Sequence, residues 1–499
     1  MDFIDIFLNK RDKEPLYYQL YRHLSSEIRG GALPAGTRLP GKRAASAQLG
    51  VSVNTVDEAY QMLAAEGYVE ARPRSGFVVN RVEGLVGPAG GVAMPGRGGV
   101  GESEQNIYND GNILIVDRNR QEKEREKTGE ATPAGYTLAT GGLDVSLFPL
   151  KTWTRLLKEQ LGGPEGQALF ARGESGGDAV LRGAITGYLH SYRGVRCTAD
   201  QLVVGAGLEV LTGMLGRLLG PVPVAVEDPG YAKTGRLLQN MGVPVVPVPV
   251  DEGGMAPEAL AASGAATAYL TPSHQFPTGG VMPVGRRTEL LRWAAAGGRW
   301  IIEDDYDSEF RFDGRPLPCL QGLDTAGHVI YAGTFSRSLA PGLRAAYLVL
   351  PPALLEQWRA AYGDYACTVS RPEQHALARL MSEGHFARGL NRSRAAYRRR
   401  RDALVAALEA AFSGAGVAHR VENAHTGLYF ILRLPGRNAK KIAEKSRENG
   451  LWLRALDEYR ALPAAKNETA DALVVGYGGL RDEEIAPAVE RLLKTVDNW

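Results

Sequence analysis

Residues 39–79 read LPGKRAASAQLGVSVNTVDEAYQMLAAEGYVEARPRSGFVV, and the order of elements they encode decides the architecture of the chain's first part. LPGKRAASAQLG predicts a short helix closed by Leu49-Gly50, because glycine adopts the left-handed backbone that ends a helix without strain. Ser52 is placed to cap the next helix, whose buried face is Val56, Tyr60 and Leu63 and which Gly67 ends. Tyr68 to Val79 alternates around Pro73-Arg74-Ser75-Gly76 and reads as a pair of short strands. Upstream, Leu16, Leu20, Leu24 and Ile28 recur every four residues after Pro15. They form an apolar stripe on a helix that stops at Gly30-Gly31.

A short helix, a tight turn, a capped second helix and a two-stranded wing make a winged helix-turn-helix over residues 12–80. Such a module points the start of its second helix into a major groove. The exposed positions there are Val53, Asn54, Thr55, Asp57 and Glu58. Asn54 can pair bidentately with adenine, and Thr55, beside the capping Ser52, can reach a base or a phosphate. Lys42 and Arg43 can neutralise phosphates, and Arg72 and Arg74 on the wing can do likewise or enter a minor groove. The partner this implies is a double-stranded DNA operator. For any one of these side chains the alternative is a solvated charged surface on a small helical domain.

Outside this module the composition is that of a soluble globular protein. The 499 residues are 44% hydrophobic and 23% charged, enough for two or three cores. With 58 basic against 56 acidic residues the formal charge is only +2, so any basic footprint must be local. Cys197, Cys319 and Cys367 are an odd, scattered set without CxxC spacing, which favours a reducing compartment and argues against disulfides or a zinc site. The start of the chain has no basic segment followed by an apolar one, and the most apolar stretch, near 202–226, is interrupted by Glu209 and Arg217. A cytoplasmic protein that does not span a membrane is expected. Residues 83–101, EGLVGPAGGVAMPGRGGVG, cannot offset their ordering entropy and read as a tether; with the charged DRNRQEKEREKTG of 117–129 they define a linker over 81–134. From Leu138 the runs QLVVGAG, VAVEDPG, AAYLTPS, WIIEDDYD, VIYAGTF and AAYLVLP alternate with helical patterns, which predicts a large α/β domain over 135–352 with a mostly parallel sheet. Long helical patterns and a smaller α+β segment follow over 353–499.

The 39–79 stretch is similar to the DNA-binding domain of GntR-type bacterial repressors. Joined to the elements that follow, the chain resembles the MocR subfamily, in which this domain is tethered to an aminotransferase-like domain of pyridoxal-phosphate fold type I. The likeness covers nearly the whole chain apart from the linker. It implies a large α/β domain of that fold with a small C-terminal α+β subdomain, a homodimer, pyridoxal 5'-phosphate as cofactor and a small-molecule effector. The family often has Arg where Val53 stands, so an arginine-to-guanine contact does not carry over.

In YAGTFSRSLAPGLR, residues 331–344, Arg337 stands where the resemblance places the Schiff-base lysine. An imine requires a neutral primary amine, whereas a guanidinium stays protonated with its lone pairs delocalised. No catalytic residue is therefore assigned, and any pyridoxal phosphate is expected to bind non-covalently. The resemblance gives Asp304 as the acid at the pyridine nitrogen and Tyr306 as partner of the ring hydroxyl. It places His274 at the same edge, Tyr231 over the ring face and Arg344 at the phosphate. In GAGLEVL, Leu208 replaces the family's hydroxyl or amide side chain, which leaves the backbone N–H groups of Ala206, Gly207 and Leu208 at a helix N-terminus to hold an anion. Arg172, in RGESGG, replaces a tyrosine that in the family reaches the neighbouring subunit's phosphate. Arg337 and Arg172 beside Arg344 would favour a doubly anionic or carboxylate-bearing ligand. Lys233 is a substitute amine or a plain surface lysine, Asp304 has the alternative of an ordinary strand-end carboxylate, and Arg454 and Arg481 are further candidates for a substrate carboxylate.

Three readings stay open on this sequence. The first is a regulator whose large domain senses a metabolite without turning it over. The others are an aminotransferase with an accessory DNA-binding domain, and a regulator whose large domain only dimerises.

Overall fold

The computed structural model describes residues 8, 15–29, 32–65, 68–72, 76–80, 135–312, 318–462 and 470–497. The linker expected over 81–134, and Arg74 on the wing, lie outside the described residues.

In the N-terminal module, α1 (Leu16–Arg29), α2 (Lys42–Leu49) and α3 (Val53–Ala65) precede β1 (Val69–Arg72) and β2 (Gly76–Val79). The stripe of α1 is buried at Leu20, Leu24 and Ile28, and the facing stripe of α3 at Val56, Tyr60 and Leu63. Gly50 closes α2 with φ 61°. Ser52 Oγ accepts the Thr55 N–H at 3.0 Å, so it caps α3. The wing is antiparallel, with Val69 opposite Val79 and Arg72 opposite Gly76. Tyr60 fixes α3 to it, its ring edge-on to Phe77 at 5.2 Å.

The short β3 (Tyr136–Thr137) leads into the large domain. Its sheet comprises β4 (Leu202–Gly205), β5 (Val224–Asp228), β6 (Val245–Asp251), β7 (Gly254–Met255), β8 (Thr267–Leu270), β9 (Trp300–Asp305), β10 (Val329–Thr334) and β11 (Ala346–Val349). The spatial order is β4-β11-β10-β9-β8-β5-β6-β7. Pairs from β10 through β9, β8 and β5 to β6 are parallel, while β11 runs antiparallel to β10 and β4. The six apolar runs expected as strands are β4, β5, β8, β9, β10 and β11. Such continuous apolar text suits strands covered on both faces. The strand β6 was not anticipated because VVPVPVD carries Pro247 and Pro249. Among the described residues only β7 lies beyond it, pairing with Val250 and Asp251, so most of that edge has no ladder for a proline to break.

The helical text of 371–414 splits into Arg371–Ser382 and the 30-residue helix His385–Gly414. Gly384, at φ 73°, makes the break. In the C-terminal domain β14 (Leu451–Trp452) pairs in parallel with β3, while β12 (Arg420–Glu422), β13 (Tyr429–Arg433), β15 (Arg454–Ala455) and β16 (Ala472–Gly476) form an antiparallel sheet in the order β12-β13-β16-β15. No helix among the described residues is long and apolar enough to cross a membrane.

Candidate ligand cavity and nucleic-acid interface

The loops that leave β4, β5, β8, β9 and β10 open on one edge of the large sheet, where open α/β sheets carry ligands. A cavity of ≈ 360 Å³ lies there, with Tyr231, Lys233, Asp304, Tyr306, Arg337 and Arg344 in its wall.

Asp304, near the end of β9, is buried. Its Oδ2 accepts the Tyr269 hydroxyl at 2.6 Å, and its Oδ1 is buried with no hydrogen-bond partner among the described residues. Burial raises its pKa to about 7, the Tyr269 bond opposing and the neighbouring Asp305 and Asp307 adding to the rise. An unpaired acceptor of this kind calls for a donor or a cation in the cavity.

Tyr306 and Tyr231 line the cavity as expected. Tyr231 is half exposed, its ring edge-on to Phe276 at 5.6 Å. The Tyr306 hydroxyl lies 3.0 Å from His274 Nδ1 and 3.1 Å from the Tyr429 hydroxyl. Burial, then the Asp307 carboxylate, hold that phenol well above its ordinary pKa. His274 is buried and is not among the wall residues; its Nδ1 lies 2.9 Å from Asp307 Oδ1 and 3.0 Å from the Tyr306 hydroxyl of the wall. Gly427 leaves room for this ring, since a Cβ there would meet His274 Cε1.

Arg337 is in the wall, but its guanidinium is engaged. Nη2 donates to the Thr140 carbonyl at 2.9 Å and Nη1 to the Gly142 carbonyl at 3.3 Å. It therefore braces the backbone that follows β3, where an extra ligand-binding charge had been expected.

The anion end differs most from expectation. The Ala206 N–H donates to Thr368 Oγ1 at 2.8 Å and the Gly207 N–H to the Gly205 carbonyl at 2.8 Å, so two of the three amides assigned to an anion are engaged internally. The helix Leu208–Leu219 instead presents Glu209 in its first turn. The Glu209 carboxylate accepts Lys233 Nζ at 2.6 Å on Oε1 and Arg344 Nη2 at 2.6 Å on Oε2. Burial would raise its pKa, yet Lys233, Arg344 and its own backbone N–H bring it down to about 2. The bond to Glu209 raises the pKa of Lys233, which therefore stays an ammonium. Gly207 makes room for this cluster: at φ 95°, a Cβ there would meet Arg344 Nη2 at 2.2 Å and Glu209 Oε2 at 2.8 Å. Arg344 itself holds a left-handed φ of 48°, a strained conformation for a residue with a side chain.

Arg172 does not enter this cavity. It lines a separate concavity with Asp178, Arg371 and His375, and its guanidinium donates to the Asp364 carbonyl. Arg454 and Arg481 are also outside the cavity wall; Arg454 lies over the Tyr459 ring and Arg481 pairs with Glu484. The residue that sequence reasoning missed is Glu209, noted only as an interruption of an apolar run. The readable signal was an acid in the first turn of a helix whose N-terminus was expected to hold an anion.

In the N-terminal module Arg43, Ser52 and Asn54 are exposed at the start of α2 and α3. The Thr55 hydroxyl lies 2.8 Å from Ser52 Oγ. Lys42 is paired with Asp57 at 2.6 Å, so part of its charge is already answered within the protein. Arg72 ends β1.

Residues 16–79 match the family of bacterial regulatory proteins, gntR family, and residues 138–492 match aminotransferase class I and II. The chain is 34% identical over 490 residues to a Bacillus subtilis (strain 168) protein named "Uncharacterized HTH-type transcriptional regulator YdeL", covering 97% of this chain and 98% of that one. It is 35% identical over 411 residues to the "Probable rhizopine catabolism regulatory protein MocR" of Rhizobium meliloti, covering 80% of this chain and 78% of that one. Among solved structures it is similar to LysN, an alpha-aminoadipate aminotransferase from Thermus thermophilus complexed with N-(5'-phosphopyridoxyl)-L-leucine. That likeness has a TM-score of 0.63 at 25% identity and covers 75% of this chain and 97% of that one. The chain thus belongs to the MocR subfamily of HTH-type transcriptional regulators, DNA-binding proteins that join a gntR-family module to a domain of aminotransferase class I and II.

Proposed function

We propose that the large domain of this regulator senses a small metabolite carrying a pyridine-type ring, bound without a covalent link, and that a homodimer passes occupancy on to the DNA-binding modules. The observation that carries this reading is Arg337 in the cavity wall beside Asp304 and Tyr306. Asp304 and Tyr306 suit the role of ring-binding groups, and Arg337, which stands where the likeness places the attaching amine, carries a guanidinium that forms no imine. Lys233, the lysine of the described cavity wall, is held protonated by Glu209 and is a poor nucleophile.

A B6 vitamer fits the ring end. Asp304 Oδ1 would accept the ring N–H, Tyr231 would cover a face, and Tyr306 would meet the ring hydroxyl. When bound, that group supplies a positively charged aromatic ring, the countercharge that a buried carboxylate lacks. Base contacts fall to Asn54 and Thr55 beside Ser52, with Lys42, Arg43, Arg72 and Arg74 on phosphates. Binding can shift the arrangement of the two heads only by its difference in affinity for the two arrangements.

The test is footprinting of the promoter beside the gene with full-length protein, with and without pyridoxal phosphate, pyridoxamine phosphate and pyridoxamine. Protection that changes with one of these supports sensing, and protection indifferent to all of them refutes it. A borohydride-reduced pyridoxyl adduct on Lys233 would instead restore the enzyme reading.

A further inference from the structure

The end of the cavity at the N-terminus of the helix Leu208–Leu219 already holds an anion, and that anion belongs to the protein. Glu209 accepts both Lys233 and Arg344. The amides of Ala206 and Gly207 are committed elsewhere, and Gly207, whose missing side chain opens this end, yields its space to the Arg344–Glu209 pair. A helix N-terminus favours negative charge, and an internal carboxylate satisfies that preference at no loss of translational freedom, whereas a ligand must pay for it. A phosphate group arriving at this end meets two cations whose best acceptor is in place, and it meets the repulsion of that acceptor as well. The ring end is different, since Asp304 Oδ1 waits there without a partner among the described residues.

We propose that Glu209 is a specificity-determining residue: a built-in anion at the phosphate end, which biases the cavity against phosphorylated ligands and toward pyridine-type ligands that bear a neutral hydroxymethyl or similar group there. The inference rests on reading the cavity as the sensor site, and it deepens that reading by naming the ligand class. Phosphorylated ligands enter only by prising Arg344 and Lys233 from Glu209. Removing the carboxylate frees both cations and raises the local positive charge.

The experiment compares the full-length wild type with Glu209→Gln by calorimetric titration of three probes: inorganic phosphate, pyridoxamine and pyridoxamine phosphate. The inference expects Glu209→Gln to bind inorganic phosphate at least about ten-fold more tightly, roughly 1.4 kcal/mol. The preference for pyridoxamine phosphate over pyridoxamine should rise by a similar factor. Unchanged phosphate affinity in a folded Glu209→Gln protein overturns it, and so does an unchanged ratio between the two ring probes. Glu209→Ser is the second variant should the first fold poorly, with the same expectation. If neither ring probe binds any of these proteins, the sensor reading fails at its ring end, while the inorganic phosphate titration still decides the role of Glu209.

Discussion

Arg337 Nη2 donates to the Thr140 carbonyl at 2.9 Å, joining the loop after β10 to the backbone that follows β3. Arg337 thereby has a structural duty. Arg337→Lys should reach fewer of these carbonyls and lose about 1 kcal/mol of stability, seen as a lower denaturant midpoint. The same variant places an amine in the wall, and borohydride treatment after adding pyridoxal phosphate should leave a pyridoxyl group on residue 337, found by peptide mass spectrometry. Wild type should show none at that position.

Burial holds four carboxylates of the large domain, Glu227, Glu303, Asp304 and Glu309, at about pKa 7. Each keeps a proton in the native state that the unfolded chain releases near its ordinary pKa, so native stability is full below about pH 4 on this account and falls as pH rises toward and through 7. Urea midpoints at pH 5, 7 and 8 should decrease in that order. Asp304→Asn removes one titrating group and should flatten the slope by up to about 1.4 kcal/mol per pH unit. It should also abolish binding of protonated ring ligands.

Gly207→Ala tests the glycine beneath the Arg344–Glu209 pair. The new methyl carbon would meet Arg344 Nη2 at 2.2 Å in a backbone of φ 95°. Strain at positive φ costs about 1 kcal/mol or more, and the pair must move. Lower thermal stability should accompany altered inorganic phosphate affinity, whereas an unchanged protein would show that the cluster is loosely held.

On the DNA side, Asn54→Ala should weaken operator binding by about 1–3 kcal/mol and relax the preference at a single base pair. Arg43→Ala should weaken all sequences alike and reduce the slope of affinity against salt by about 1. Gel-shift titrations on operator and scrambled duplexes at two salt concentrations separate the two.

Much of the fold was legible because its signals are local. The α1 stripe, the Ser52 cap, Gly50 and the six buried strands are written in periods and end residues that need no tertiary information. The wall residues Asp304, Tyr306, Tyr231, Arg337 and Arg344 were named only through the likeness to the MocR subfamily, in an architecture whose strand ends converge on one edge. What could not be read depends on contacts distant in sequence. His274 turns its Nδ1 to Asp307, 2.9 Å away, and to the Tyr306 hydroxyl. The Ala206 amide is taken by Thr368, and Arg172 turns to Asp364. Glu209 acquires its meaning only when Lys233 and Arg344 arrive from two other loops.

The bond between the Tyr306 and Tyr429 hydroxyls, 3.1 Å long, spans a seam, for the first belongs to the loop after β9 and the second to β13 of the C-terminal domain. A guest that recruits the Tyr306 hydroxyl must borrow it from this latch. Occupancy would then be felt across the seam as a loosened fastening, even where the guest touches only one side.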